Sequence, residues 1–83
     1  MKQVKIYTSP GCAYCMLAKQ LFTSLEVPFE EKNLAADPAA AEALSEEYNW
    51  RTVPMIFIGD EFVGGYDDVA AMQQRGELES KFT

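Results

Sequence analysis

A short β-branched run from Val4 to Thr8 gives way, across Ser9-Pro10-Gly11, to a helical pattern that opens on Cys12-Ala13-Tyr14-Cys15. A strand that hands the chain directly to a helix constrains the topology of the rest. The strand is buried, and a second strand joined to it through that helix must run parallel to it by a right-handed crossover. Leu17, Leu21, Phe22 and Leu25 recur at helical spacing and are expected in the core. Pro28 is expected to end this helix, and Pro28 to Leu34 reads as the second strand.

The remaining signals are equally local. Asp37 before Pro38 reads as a helix N-cap with proline at the first helical position, and Ala41, Leu44 and Tyr48 line one face of the helix begun there. Met55 to Ile58 and Glu61 to Gly64 are strand-like, and the two-residue link Gly59-Asp60 predicts a hairpin. Asp67 or Asp68 is expected to cap a third helix that Gly76 ends, with Leu78 and Phe82 docking the tail. Trp50 reads as a packing residue at the helix-to-strand junction. The order βαβ, helix, hairpin, helix fits one α/β domain over residues 1–83: a four-stranded mixed sheet, two parallel strands plus an antiparallel hairpin, flanked by three helices.

The chemistry sits at the start of the first helix. Unpaired backbone N–H groups and the positive end of the helix dipole favour an anion there, so Cys12 reads as the thiolate and Cys15, one turn on, as its partner. Two cysteines and no histidine do not supply the four ligands of a structural zinc site. A redox dithiol is the better reading of a Cys-x-x-Cys in a βα setting. A net charge of −6 argues against nucleic acid, and no apolar run is long enough to span a bilayer. The N-terminal residues enter a strand without a signal-like apolar stretch, so the expected compartment is the cytoplasm, where thiols stay reduced. The apo-protein is expected to be a monomer.

Cys12-Ala13-Tyr14-Cys15, Thr52-Val53-Pro54 and Gly64-Gly65-Tyr66-Asp67-Asp68, in this order and spacing over nearly the whole length, resemble a glutaredoxin of the dithiol type. The resemblance implies a minimal thioredoxin-like fold with glutathione bound beside Cys12. It implies a cis Val53-Pro54 bond, with the Val53 N–H and C=O pairing with the cysteinyl backbone of glutathione. It further implies that the N–H groups of Tyr66 and Asp67, behind Gly65, take the γ-glutamyl carboxylate, and that Asp67 or Asp68 takes the α-amino group. Tyr14 would cover the sulfur, and Arg51, beside Thr52, is a candidate clamp for the glycyl carboxylate. The chain departs from the family at Ala13, where many members carry proline, and at Ser9, where many carry a lysine that contacts glutathione.

The implied activity is glutathione-dependent reduction of glutathione mixed disulfides and protein disulfides, with Cys12 as nucleophile and Cys15 resolving. Two alternatives stay open at this point. One is a glutaredoxin-like protein served by thioredoxin reductase, for which Ser9 speaks. The other is a carrier of a glutathione-ligated [2Fe-2S] cluster bound through Cys12, since relatives lacking the proline sometimes bridge such a cluster between two subunits.

Overall fold

The computed structural model describes residues 2–82. Four strands, β1 (Val4–Thr8), β2 (Phe29–Asn33), β3 (Met55–Ile58) and β4 (Glu61–Gly64), form one sheet in the order β2-β1-β3-β4. β1 lies inside the sheet, parallel to β2 with Val4 opposite Phe29, and antiparallel to β3 with Val4 opposite Ile58. β3 and β4 form the expected antiparallel hairpin, with a register shift between Ile56 and Phe57 and with Gly59 at φ 63° in the turn. Three helices take the expected order: α1 (Ala13–Ser24), α2 (Pro38–Tyr48) and α3 (Tyr66–Gln74).

Strand alternation divides the interior into two layers. Val4, Ile6, Ile56 and Ile58 point to one face, where they meet Ala18 and Phe22 of α1, Val69 of α3, and Leu78 and Phe82 of the tail. Met55 and Phe57 point to the other face, where α2 lays Ala41, Leu44 and Tyr48 over them. An aromatic group closes this second layer, with Phe57, Phe62 and Tyr48 ring centroids 5.1–5.2 Å apart. The tail is tied back where the Lys2 N–H donates to the Phe82 carbonyl at 2.8 Å and Lys81 pairs with Glu61 at 2.9 Å.

The helix ends differ from the sequence expectation in instructive ways. α1 stops at Ser24, before Pro28, because Glu26 adopts the left-handed conformation at φ 58°. The Val27 N–H then donates to the Phe22 carbonyl and the Glu26 N–H to the Thr23 carbonyl, a Schellman closure made without glycine. Gly76 ends α3 by the same two bonds, to Met72 and Gln73. β2 is shorter than the stretch expected, because Leu34 already belongs to a 3-10 turn, Leu34–Ala36, whose start is capped by Asn33 Oδ1 accepting from the Ala35 N–H. Asp37 caps α2 as expected, accepting from the Ala40 N–H at 3.1 Å.

Leu17 is also not core. Cys15, Ala18 and Phe22 face the sheet, which turns Leu17 outward to 40% exposure and leaves Leu21 and Leu25 half-buried at the margin. Phe22→Ala should therefore lower the unfolding free energy by about 3–5 kcal/mol, whereas Leu17→Ala should cost less than about 1 kcal/mol. Urea denaturation of the two reduced variants checks this, and similar losses would return Leu17 to the core.

Candidate active site

Gly11, at φ 73°, turns the chain between β1 and α1 and delivers Cys12 in an extended conformation at the N-cap of α1. The Cys12 sulfur takes the part a serine or aspartate oxygen usually plays. The Cys15 backbone N–H donates to Sγ at 3.0 Å, so the sulfur that reaches solvent is also the helix cap. On its other side lies the Val53 carbonyl oxygen, 3.7 Å away. Both thiols are free, but they are not equivalent, since Cys12 is half-buried and Cys15 is 2% exposed.

Burial is the first cause that pushes the Cys15 thiol up, from the ordinary 9.0 to about 11, and its hydrogen bond with Cys12 adds to the rise. A backbone hydrogen bond with Ser9 and the charge of Lys19 pull the other way without offsetting it. Lys19 is itself held by Glu31 at 3.0 Å, and the same carboxylate oxygen accepts from the hydroxyl of buried Thr8 at 2.8 Å, tying α1, β2 and β1 together beneath the cysteine turn.

The second wall is Thr52-Val53-Pro54, where the Val53-Pro54 peptide bond is cis. The third is the entry to α3. Here the N-cap is neither Asp67 nor Asp68 but Gly65, which has no side chain to cap with; Asp68 reaches back from the third helical position and accepts from the Gly65 N–H at 2.9 Å. The helix start leaves the N–H groups of Tyr66 and Asp67 without intrahelical partners. Asp67 stands beside them in the first turn.

Between these walls lies a cavity of about 440 Å3 that brings Tyr14, Thr52, Val53, Pro54, Gly65, Tyr66, Asp67 and Asp68 together. The Tyr14 and Tyr66 rings, 6.3 Å apart, stand at its edge, and Tyr14 is 57% exposed. Arg51 does not line this cavity. It lies across the Thr52-Val53 segment in a neighbouring cavity of about 620 Å3 on the α2 side. Trp50 lines both and packs as expected, on Phe62 with ring centroids 5.2 Å apart.

Sequence reasoning singles out the Gly64-Gly65 pair but gives the site role to Gly65 alone. The Gly64 φ of 118° and the overlap that a Cβ there would make with the Asp68 carboxylate show that Gly64 sets the α3 entry. A Cβ on Gly65 would meet only Pro54 O and Trp50 at 3.5 Å, ordinary contact distance. The doubled glycine is the available signal, but its two members cannot be ranked without backbone angles.

A buried and a reachable thiol held one helical turn apart, on a βαβ unit joined to a ββα unit, define a redox domain of the thioredoxin-like class. The glutaredoxin family model matches residues 4–63. A glutaredoxin of Pseudomonas aeruginosa is 39% identical over 80 residues, covering 96% of this chain and 95% of that protein. Among solved structures, the glutaredoxin of Brucella melitensis is 41% identical with a TM-score of 0.86 over 96% of this chain and 87% of that one. A buckwheat glutaredoxin–glutathione complex gives a TM-score of 0.92 at 28% identity, over 98% of this chain and 76% of that one. The chain belongs to the glutaredoxin family of redox proteins.

Two outcomes are expected from this geometry. In a Cys12→Ser variant the remaining thiol should ionise above pH 9 by ultraviolet thiolate absorbance, because burial persists without its partner; a midpoint near the ~8.5 of a free thiol would show that burial does not control it. The raised value also means that the fold keeps a proton the unfolded chain loses. Cys15 therefore contributes stability below pH 9.0 that is lost as pH rises toward about 11. Separately, Gly64→Ala should destabilise by about 1–3 kcal/mol while Gly65→Ala folds near normally, read by thermal melts; the reverse order would move the constraint to Gly65.

Proposed function

We propose that this protein is a glutathione-dependent thiol–disulfide oxidoreductase. The observation that carries the reading is the placement of Cys12, whose half-buried sulfur lies 3.7 Å from the carbonyl of Val53, a residue that also walls the groove leading to the α3 N-terminus. Glutathione fits this groove by its own chemistry. Its cysteinyl backbone pairs with the Val53 N–H and C=O as a short strand addition. Its γ-glutamyl carboxylate meets the N–H groups of Tyr66 and Asp67 at the α3 start, and its ammonium meets Asp67 together with the outer edge of Asp68. Tyr14 covers the sulfur, Thr52 and Pro54 wall the groove, and Arg51 reaches the glycyl carboxylate from the far side of Thr52. The glutathione complex of the buckwheat relative supports this choice of ligand.

In the reaction, the Cys12 thiolate attacks the glutathionyl sulfur of a mixed disulfide. The old S–S bond breaks, the substrate leaves as a thiol after taking up a proton, and glutathione stays on Cys12. The thiolate of a second glutathione attacks that adduct, releasing oxidised glutathione and regenerating Cys12. With a protein disulfide, the substrate itself is left on Cys12. Cys15 then gives up its proton and attacks Cys12, so that two electrons pass to the substrate and the Cys12–Cys15 disulfide forms, which glutathione later reduces. Glutathionylated and disulfide-bearing proteins are thus the partners, and a reducing compartment such as the cytoplasm is the setting.

The test is turnover of a glutathione mixed disulfide coupled to NADPH, glutathione and glutathione reductase, beside the same assay with thioredoxin reductase alone. Activity with the glutathione system and its retention in Cys15→Ser are expected, with protein-disulfide reduction lost in that variant by about 100-fold or more, as removal of a covalent-catalysis partner does. Activity with thioredoxin reductase only would overturn the reading. No turnover with either, together with visible absorbance in oxygen-protected protein, would replace it with [2Fe-2S] carriage through Cys12.

A further inference from the structure

A cavity of about 620 Å3 lies on the α2 side of Thr52 and Val53, with Arg51 on its rim and Ser9 of the cysteine turn in its lining. Leu34, Ala41 and Met55 give it an apolar floor, and Thr52 and Val53 form the wall it shares with the glutathione groove. Glu42 and Glu46 stand on its α2 side. These two carboxylates are four residues apart on one helix and therefore neighbours. Both are exposed, and among the described residues neither joins an ion pair.

Local physics opposes this placement twice. Like charges at this spacing weaken a helix, and Glu46 falls in the last turn of α2, at the negative end of the dipole, where no basic residue offsets it. Glu47 shares that last turn without lining the cavity, so the position of Glu42 and Glu46 on the cavity, and not the helix rule they break, is what bears on binding.

We propose that this groove receives a lysine or arginine side chain from a disulfide substrate protein, carried by the residue directly after the reacting cysteine. The proposal rests on the pairing of Val53 with the cysteinyl backbone of glutathione. If a substrate segment pairs with Val53 in the same sense, its chain before the cysteine runs toward Asp67, and its chain after the cysteine runs past Thr52 toward Arg51 and α2. The aliphatic stem then covers Leu34, Ala41 and Met55 while the cation meets Glu42 and Glu46. Arg51 on the same rim opposes a cation, but two carboxylates face it. The net charge of −6 draws the same class of partner.

The chemistry is the dithiol step: Cys12 and Cys15 are oxidised to their disulfide, and the substrate disulfide is reduced to two thiols. The test uses the reduced full chain in single turnover by stopped flow. The probes are two disulfide-linked peptides that differ only in Lys or Glu directly after the cysteine, each rate divided by that of dithiothreitol with the same peptide. That division removes the intrinsic effect of lysine on the disulfide. The Lys peptide should react about five- to tenfold faster at low ionic strength, with the ratio falling toward one as salt rises. Glu42→Gln/Glu46→Gln should bring the ratio close to one, and Glu26→Gln/Glu79→Gln, an equal change in net charge elsewhere, should leave most of it.

Equal rates in the wild type, or an equal effect of the two double variants, would overturn the proposal. Turnover of a glutathione mixed disulfide, measured alongside, separates the premises. Turnover without discrimination between the peptides sinks the groove alone, and absent turnover sinks the glutathione reading while the peptide ratio still decides the groove.

Discussion

The hydrogen bond from the Cys15 backbone N–H to the Cys12 sulfur, 3.0 Å long, is the interaction on which the site depends. It makes one atom both the cap of α1 and the more accessible thiol of the pair, so the sulfur cannot be better placed than the helix is. The helix in turn is fixed by what lies beneath it: Ala18 and Phe22 press on a sheet face built from Val4, Ile6, Ile56 and Ile58. β1 anchors that face because it is hydrogen-bonded on both sides and feeds the cysteine turn directly. Loss of register in β1 would move the sulfur relative to Val53, whose carbonyl lies 3.7 Å from it.

Three distant parts of the chain meet at this sulfur, and segments shared between cavities organise the meeting. Ser9 borders both the α2-side cavity and the one in front of the cysteine turn, while Thr52 and Val53 border the α2-side cavity and the groove at the α3 start. Cys12 itself borders the cavity in front of the cysteine turn, and Val53, whose carbonyl lies 3.7 Å from its sulfur, borders the other two. Such an arrangement suits thiol exchange, because attack, leaving group and incoming thiol each need an approach to sulfur. The grooves differ in charge as well as shape. The α3 side offers unpaired N–H groups to an anion, and the α2 side offers Glu42 and Glu46.

Much of this is legible in the sequence where the signal is local. The strand Val4–Thr8, the Asp37-Pro38 helix start and the Gly59-Asp60 hairpin depend on a few adjacent residues, and each falls where the pattern puts it. Sequence and structure part where tertiary placement decides. Apolar spacing gives α1 a face without saying which edge of it meets the sheet, so Leu17 reads as core and is not. Pro28 reads as the helix stop, yet Glu26 takes the left-handed turn that glycine usually supplies. Residue preference gives the α3 cap to an aspartate, whereas the backbone puts Gly65 there and makes Asp68 cap from within. Adjacency to Thr52 gives Arg51 to the glutathione groove, and only the fold shows that Arg51 lines the other cavity, with Thr52 as the shared wall.

The unequal thiols decide how the proposed reaction divides between its routes. Cys15 attacks as a thiolate, and with its pKa pushed toward about 11 only a very small fraction is ionised near neutrality. Part of that rise comes from Cys12 and disappears once Cys12 carries a substrate, but burial, the largest cause, does not. In the proposed reaction a glutathionyl adduct on Cys12 would therefore stay open to a second glutathione, and the route through one cysteine would complete. A protein substrate docked around its mixed disulfide with Cys12 would keep glutathione from that bond, which gives the slower intramolecular attack time to occur. Protection of the bond, rather than the intrinsic reactivity of Cys15, would then select the dithiol route, and a groove that holds a substrate side chain beside the cysteine turn would act on that selection.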